Sequence, residues 1–570
     1  MFLPPISIAR RYLPSRWDVL AALLVLGLIV VVADASELLR QPLTSLAHRH
    51  ISLSPGHLPE YAMRTALRML IAMGLSLIFT FTYATLAAKS ARAGALLIPL
   101  LDILQSVPIL GFISITVVFF LSIAHQRILG AELAAVFAIF TSQAWNMAFS
   151  FYQSLRTVPE ELEEAGRLFG LNAWARFWRI EVPFAMPQLI WNMMMSMSGG
   201  WFFVVAAEAI SVGHTTIALP GIGSYIAAAL AARDLTAIWW AIGTMLVVIL
   251  IYDQLMFRPL VAWAERFRFD EQQSEDPPES WALTMFRRSR LIHAISAPFT
   301  TLMQRTYRMA PPRPLIRERT IPPRAADLIW YGFLALLGAI AVWRIGAFIH
   351  RNIRLEEVLH AAELGFITML RVLVLIGIAS AIWVPVGIYV GLRPRLARTV
   401  QPVAQFLAAF PANLLFPLVI SAIAIWDLNP DIWLSPLMVL GTQWYILFNV
   451  VAGASLLPLE LRDVSTNLGI RGWLWWRKVA LPGVFPFYVT GAITASGGSW
   501  NASIVAEVAS WGDRTLRAHG LGAYIADATA AGNFHRIVLG IAVMSIFVTL
   551  VNRLFWRRLY DYAERRYRLA

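Results

Sequence analysis

Gly221-Ile222-Gly223-Ser224-Tyr225-Ile226 and Gly520-Leu521-Gly522-Ala523-Tyr524-Ile525 are two copies of one short stretch, 299 residues apart. The same spacing holds on either side of it. Trp201 and Glu208 recur as Trp500 and Glu507, and Pro159, Gly170 and Pro183 recur as Pro458, Gly469 and Pro482. Trp263-Ala264-Glu265-Arg266 recurs as Tyr562-Ala563-Glu564-Arg565, so no insertion interrupts this stretch. Upstream, Thr65-Ala66-Leu67-Arg68 pairs with Thr368-Met369-Leu370-Arg371 at a spacing of 303. The 570-residue chain therefore reads as one unit written twice.

Composition says what kind of unit this is. Apolar residues make up 58% of the chain and charged ones only 14%, where a soluble domain carries about 25%. The 22 Trp suit a membrane–water interface, where an indole is half wet. A net charge of +13 would fit a nucleic-acid binder, but the Lys and Arg fall between apolar runs, so no nucleic-acid partner is expected. Cys is absent, which excludes disulfides and thiolate metal sites. His214 and His535 have no second ligand at useful spacing, so no metal site is expected.

A membrane-spanning helix takes about 17–25 apolar residues, and in lipid the backbone must satisfy itself, which forces helix. Candidate spans are 18–34, 62–88, 95–122, 131–155, 187–211 and 235–257, then 326–348, 363–391, 401–426, 432–456, 485–509 and 535–556. The expectation is an all-α polytopic membrane protein of about twelve spans, with multi-pass insertion and contact with lipid. No convincing cleavage pattern follows 20–33, so that segment reads as the first span rather than a signal peptide.

Orientation follows the bias of Lys and Arg toward the cytoplasm. Arg10, Arg11 and Arg16 put the N-terminus inside. Lys89, Arg92, Arg167, Arg176, Arg179, the 258–325 segment and the C-terminal Arg557-Arg558 agree with that placement. Six spans per unit is an even number, so both halves enter in the same direction and are related by a pseudo-twofold along the membrane normal. The resulting domains are 1–57 (N-terminal cytoplasmic segment, first span and outer loop), 58–268 (half 1), 269–325 (cytoplasmic linker), 326–354 (first span of half 2) and 355–570 (half 2). The linker carries an acidic stretch, 270–278, and then a basic, partly apolar one, Phe286–Met309. It reads as a tether or as an amphipathic helix on the inner leaflet.

The loop between spans four and five is charged yet patterned like a helix. Pro159 suits a helix start, Glu160, Glu161, Glu163 and Glu164 suit the positive N-terminal end, Gly170 suits a left-handed stop, and Pro183 resets the chain for span five. A short stiff unit of this kind can transmit force from a soluble partner.

These residues resemble a known family. Glu164-Ala165-Gly166-x3-Gly170-x9-Ile180-x-Val182-Pro183 is similar to the coupling-loop signature of bacterial binding-protein-dependent ABC importer permeases, Glu-Ala-Ala, three residues, Gly, nine residues, Ile, one, Leu-Pro. Half 2 offers Asp463-Val464-Ser465-x3-Gly469-x9-Val479-x-Leu481-Pro482, keeping the Gly and Pro and replacing Glu-Ala-Ala. The resemblance covers roughly 58–268 and 355–568. Trp201, Ala207-Glu208 and the glycine stretch after them look like the nitrate/sulfonate/taurine branch. It implies a fused, duplicated permease of type I importer fold in the bacterial inner membrane, importing a small anion by alternating access. It also implies two cytoplasmic ATPase subunits holding Mg-ATP and a periplasmic or lipid-anchored solute-binding protein. Glu160, Glu164, Ala165, Gly166, Gly170, Pro183, Asp463, Gly469 and Pro482 are then the ATPase-coupling residues. The chain has no Gly-x4-Gly-Lys-Ser/Thr phosphate loop, so it is not expected to be an enzyme and holds no cofactor of its own. An ion- or proton-coupled secondary transporter with two parallel six-helix repeats is the alternative reading.

Charges inside spans are rare and point to function or to pairing. Glu208 and Glu507, near the outer ends of the fifth spans, read as gate or pathway residues or as paired helix-end carboxylates. Arg68 and Arg371, in the second spans, read as contacts for an oxyanion, as side chains snorkelling to the outer headgroups or as partners of those two glutamates. Asp102 and Asp253, with repeat partners Gln405 and Asn552, read as structural hydrogen-bonding residues. Pro108 and Pro411 are expected to kink the third spans. The outer loops 212–225 and 511–524 are the expected contacts for the binding protein.

Overall fold

A computed structural model of the chain describes residues 16–39, 41–43, 51–106, 108–212, 215–267, 280–308, 323–511 and 514–567. Arg10, Arg11, His214, the acidic 270–278 stretch and the side chains of Asp102 and Gln405 lie outside the described residues.

Among the described residues, seven helices are long and apolar enough to cross a membrane, and eight if Pro430–Leu440 and Gln443–Ser455, bent by 44°, form one span. The four remaining segments of the expected twelve are helical as well. Arg16–Leu39 and Pro323–Asn352 precede the two halves. The third segments are not single helices. The apolar run 95–122 is divided into Ala91–Ser106 and Ile109–Ile123. Its counterpart, 401–426, is divided into Pro394–Ala409, a short turn Ala412–Leu414 and Phe416–Ile425. The breaks fall at Pro108 and Pro411, each in extended backbone just before the new helix. Proline lacks the N–H the helix needs and clashes with the preceding turn, so an expected kink becomes a full break.

Broken backbone at membrane depth is tolerated only where protein or a cavity covers it. Here the opposite half covers it. Asn501, in the fifth span of half 2 (Leu481–Ala506), accepts the Ile109 N–H at 2.7 Å. Asn413, at the break in half 2, donates to the carbonyl of Phe202 in the fifth span of half 1 (Val182–Glu208) at 3.0 Å. Asn501 and Phe202 are themselves repeat partners. Ser198 also donates to the Ala408 carbonyl. The halves thus meet along their fifth spans and broken third segments.

The duplication extends to helix irregularities. Among the described residues each half has two π-turns, Phe177–Glu181 and Asp253–Phe257 in the first, Trp476–Ala480 and Asn552–Trp556 in the second. Asp253 accepts from Arg258 at 3.3 Å, the structural pairing expected of it.

Strand appears where none was expected. The fifth spans stop at Glu208 and Ala506, short of the expected 211 and 509, and the chain turns into antiparallel hairpins. Strands β1 (Ala209–Val212) and β2 (Thr215–Ala218) pair Ala209 with Ala218, and β3 (Val508–Trp511) and β4 (Arg514–Arg517) pair Val508 with Arg517. The apolar run continues past the helix, so hydropathy alone does not mark the change. The β-branched types in Ile210, Val212, Thr215 and Thr216, around Gly213, carry the hairpin signal.

Candidate functional site

Thr65 and Arg68 lie one turn apart on the helix Leu58–Lys89 and so share a face. Across from them stands Glu208, at the last residue of its helix and fully buried. Thr65 Oγ1 donates to Glu208 Oε1 at 2.6 Å, and Arg68 Nη1 donates to the same oxygen at 2.6 Å. The other oxygen, Oε2, accepts the backbone N–H of Gly223 at 2.7 Å. The Ile222 N–H donates to Thr65 Oγ1 at 3.1 Å, and Ser224 Oγ to the backbone carbonyl of Glu208 at 2.6 Å. One carboxylate therefore ties the second span, the fifth span and the segment after the hairpin into a clasp.

The repeated glycines now have a cause. A Cβ on Gly221 would run into the Glu208 carboxylate, and one on Gly223 into the Val205 carbonyl. Gly520 and Gly522 stand in the same way against Glu507 and the Ser503 carbonyl. The Gly-x-Gly stretch is the close backbone approach that lets amides reach a buried carboxylate.

Half 2 builds the same clasp. Thr368 Oγ1 and Arg371 Nη1 donate to Glu507 Oε1 at 3.0 and 2.7 Å, Ala523 N–H donates to Oε2 at 3.0 Å, and Leu521 N–H donates to Thr368 Oγ1 at 2.9 Å. The two clasps differ in their second acid. In half 1, Glu132 takes Arg68 Nε and Nη2 with both oxygens, each at 2.6 Å. Arg68 also donates to the Pro220 carbonyl at 3.0 Å, so four of its five N–H donors meet protein groups. In half 2, Asp431 occupies the position of Glu132 but lies 3.7 Å from Arg371. It accepts instead from the His519 N–H at 2.6 Å and lies 3.0 Å from its ring nitrogen. His519 replaces Pro220, which has no N–H to offer. Glu132 and Asp431 escaped the sequence reading although both are acidic and 299 apart, because neither sits in a quoted motif.

At the far end of the fifth spans lie the charged loops. The first folds as a helix, Glu160–Leu168, after Pro159. Gly170 has φ +67°, and the Leu171 N–H reaches back to the Gly166 carbonyl at 3.0 Å, the left-handed stop expected of this position. Gly469, at φ +66°, stops the helix Leu459–Asn467 in the same way, with Ile470 N–H on the Ser465 carbonyl at 2.9 Å. Gly166 is buried because a side chain there would strike Ile180 and Arg176, so the short helix lies flat on the following turn. Glu160 and Glu164 are exposed, and so are Leu168 and Phe169 at the tip, at 88% and 82%. In half 2, Asp463 and Leu468 are exposed. Ala165 and Pro183 are half-buried, as is Pro482.

One anchor of this loop had no sequence signal. Lys89, at the end of the second span, pairs with the buried Glu181 at 2.5 Å, directly before Val182-Pro183. The corresponding residues of half 2 are Leu392 and Ala480, so only half 1 has this ion pair at that point. Beside the half 2 hairpin, a charged cleft of about 490 Å³ is lined by Glu357, His360, Arg517, Tyr524, Asp527 and Arg536. Glu357 there accepts from Tyr524 at 2.8 Å and pairs with Arg536 at 2.9 Å.

Two parallel sets of spans, each with a stiff charged loop before its fifth span, define the class. The chain belongs to the family of binding-protein-dependent transport system inner membrane components, whose model matches twice, at residues 80–258 and 383–569. It is a multi-pass inner-membrane permease in which the family's domain is duplicated. Among characterised relatives, it is 27% identical over 176 residues to the nitrate import permease protein NrtB of Leptolyngbya laminosa, and 28% identical over 176 residues to the bicarbonate transport system permease protein CmpB of Synechococcus elongatus. Each match takes in 31% of this chain and 60% of the relative. NrtB of Synechocystis sp. is 24% identical over 188 residues, 33% of this chain and 65% of that protein. The chain thus spans about 60% of the length of the first two relatives it matches.

Proposed function

We propose that this chain carries two fused permease halves of an ATP-driven importer, moving a small anion of the nitrate or bicarbonate kind from a solute-binding protein to the cytoplasm. The observation that carries this reading is the duplicated coupling loop, a glycine-stopped helix with an exposed apolar tip in each half. Two cytoplasmic ATPase subunits, with Mg-ATP bound to them, grip these loops. Glu160, Glu164, Ala165, Gly166, Gly170 and Pro183 form one contact, and Asp463, Gly469 and Pro482 form the other. Phe169 and Leu468 enter the ATPase surfaces. Both termini lie in the cytoplasm, and the hairpins with the 212–225 and 511–524 segments face the binding protein.

Closing of the ATPase dimer draws the two loops together and swings the fifth spans. The Arg68–Glu208 and Arg371–Glu507 clasps keep each fifth span and hairpin rigid with its second span, so that motion at one end of the bundle reaches the other. They serve as gate struts and not as solute ligands. The pathway lies between the halves, along the broken third segments at Pro108 and Pro411. The identity of the anion as nitrate-like rests on the relatives' names and the family branch.

The test is reconstitution with the co-expressed ATPase and binding protein. Vanadate-sensitive hydrolysis stimulated by the binding protein loaded with nitrate or bicarbonate is the expected result. Uptake driven by a proton gradient with no ATPase present would overturn the reading.

A further inference from the structure

The linker joining the halves is more than a tether. After Ser280, whose side chain caps the helix Trp281–Arg288 at Leu283, Ala282 and Met285 are buried where that helix packs on Arg258–Ala264. A second helix, Arg290–Arg308, follows. Its first turn is capped by a residue from the far end of the sequence. Asp18 Oδ1, in the first turn of Arg16–Leu39, accepts from Ser289 Oγ at 3.0 Å, Arg290 N–H at 2.7 Å and Leu291 N–H at 3.3 Å. At the other end, Thr306 Oγ1 accepts from Trp174 Nε1 at 3.0 Å. Trp174 belongs to the turn that follows the half 1 coupling helix. A 19-residue helix about 28 Å long thus bridges Arg16–Leu39 and the half 1 loop.

Its chemistry is one-signed. Between Ser280 and Arg308 there are five arginines and no Asp or Glu. Arg287, Arg288 and Arg305 are exposed, and Ile295 and Leu302, two turns apart on one face, are exposed at 57% and 60%. The anchor at Asp18 sits beside Arg16 and Trp17, whose guanidinium lies 5.0 Å from the indole ring, a pair of the kind that suits a membrane–water interface, at the start of the first span expected from the sequence. An arginine–tryptophan pair at the start of an expected span argues for headgroup level at this anchor.

We propose that Trp281–Arg308 is a brace that binds the anionic lipid headgroups of the inner leaflet. Its arginines meet the phosphates, Ile295 and Leu302 enter the acyl boundary, and the Thr306–Trp174 contact passes the docked state to the half 1 coupling loop alone. The lipid contact stands independently of the transport reading, while its consequence for coupling rests on the role proposed for loop 160–181.

The chain has no native Cys, so I295C and L302C can each carry a single environment-sensitive fluorophore. The full chain is reconstituted in nanodiscs of phosphatidylcholine alone or mixed with phosphatidylglycerol. Expected are blue-shifted emission, quenching by lipid-borne nitroxides and protection from iodide in the phosphatidylglycerol discs, weakening with salt. The R287Q/R288Q variant should lower the docked-to-undocked ratio by roughly thirtyfold, at about fivefold per arginine. Three results overturn the proposal: full iodide access in both lipids, equal docking in phosphatidylcholine alone, or protection that appears only when an ATPase subunit is added. The readout uses no ATP hydrolysis, so a failure here is distinct from a failure of the transport assay. The consequence is read separately: T306V should remove any dependence of hydrolysis on phosphatidylglycerol while leaving the fluorophore docked, and retained dependence refutes the link to Trp174.

Discussion

Replacing Glu208 by Gln tests the clasp most sharply. The carboxylate is fully buried and accepts from Thr65, Arg68 and the Gly223 N–H at 2.6, 2.6 and 2.7 Å. All of these partners are donors. A carboxamide must place its NH2 either against Gly223 N–H or against Arg68 and Thr65, so each orientation sets donor against donor. Removing one partner of a buried pair is destabilising by about 3–5 kcal/mol. Arg68 keeps both oxygens of Glu132, which puts the change near the lower end, about 3 kcal/mol. At about 1.4 kcal/mol per tenfold, the local opening equilibrium shifts by roughly 100-fold. Hydrogen exchange of segment 219–225 in nanodiscs reads that opening directly, because Ile222 and Gly223 N–H are bound to the clasp. Glu507→Gln should accelerate exchange of 518–524 by less, about tenfold to thirtyfold, from about 1.5–2 kcal/mol for a charge-assisted bond at a more open site where Arg371 is 11% exposed. If exchange of 219–225 in the Glu208→Gln variant stayed within a factor of about three of the native protein, the clasp would not be holding that segment.

Other predictions follow from the same contacts. Gly223→Ala forces a methyl into the Val205 carbonyl and should lower thermal stability by the equivalent of about 1–3 kcal/mol, whereas Gly74→Ala, with open space around it, should not, as a melting series in detergent will tell. Gly170→Ala holds a non-glycine residue at φ +67° and should weaken the coupling turn by about 1–2 kcal/mol, seen as reduced binding-protein-stimulated ATP hydrolysis with normal membrane insertion. Asn501→Leu leaves the Ile109 N–H without its acceptor at the meeting of the halves, at about 1–3 kcal/mol, and should impair uptake more than ATPase assembly, as transport and pull-down measured together will show. Lys89→Ala strands the buried Glu181 and should uncouple half 1, so that hydrolysis persists while transport falls; a variant with unchanged transport refutes that role.

Much of the protein was legible in one dimension because a bilayer leaves the backbone few choices. An apolar run long enough to cross must be helical, and a spacing of 299 kept across a whole unit announces duplication. The helix of the first charged loop was readable for a local reason: Pro159, the acidic first turn and Gly170 each act within a few residues of themselves. The pairing of Arg68 and Arg371 with Glu208 and Glu507 was one of the readings the sequence left open, but that the Thr and the Gly-x-Gly stretch join it was not visible, since Thr65 and Glu208 are 143 residues apart and nothing local brings them together.

Only the tertiary structure chose between those readings. It set Glu132 against Arg68 and turned Asp431 toward His519, covered the proline breaks with side chains from the opposite half, and ended the fifth spans in hairpins within a continuous apolar run. It also drew Asp18 across more than 270 residues to cap a linker helix. Hydropathy and helix signals act over a turn or two and are written in the chain, whereas a buried charge takes its partner from whichever elements packing brings within about 3 Å of it.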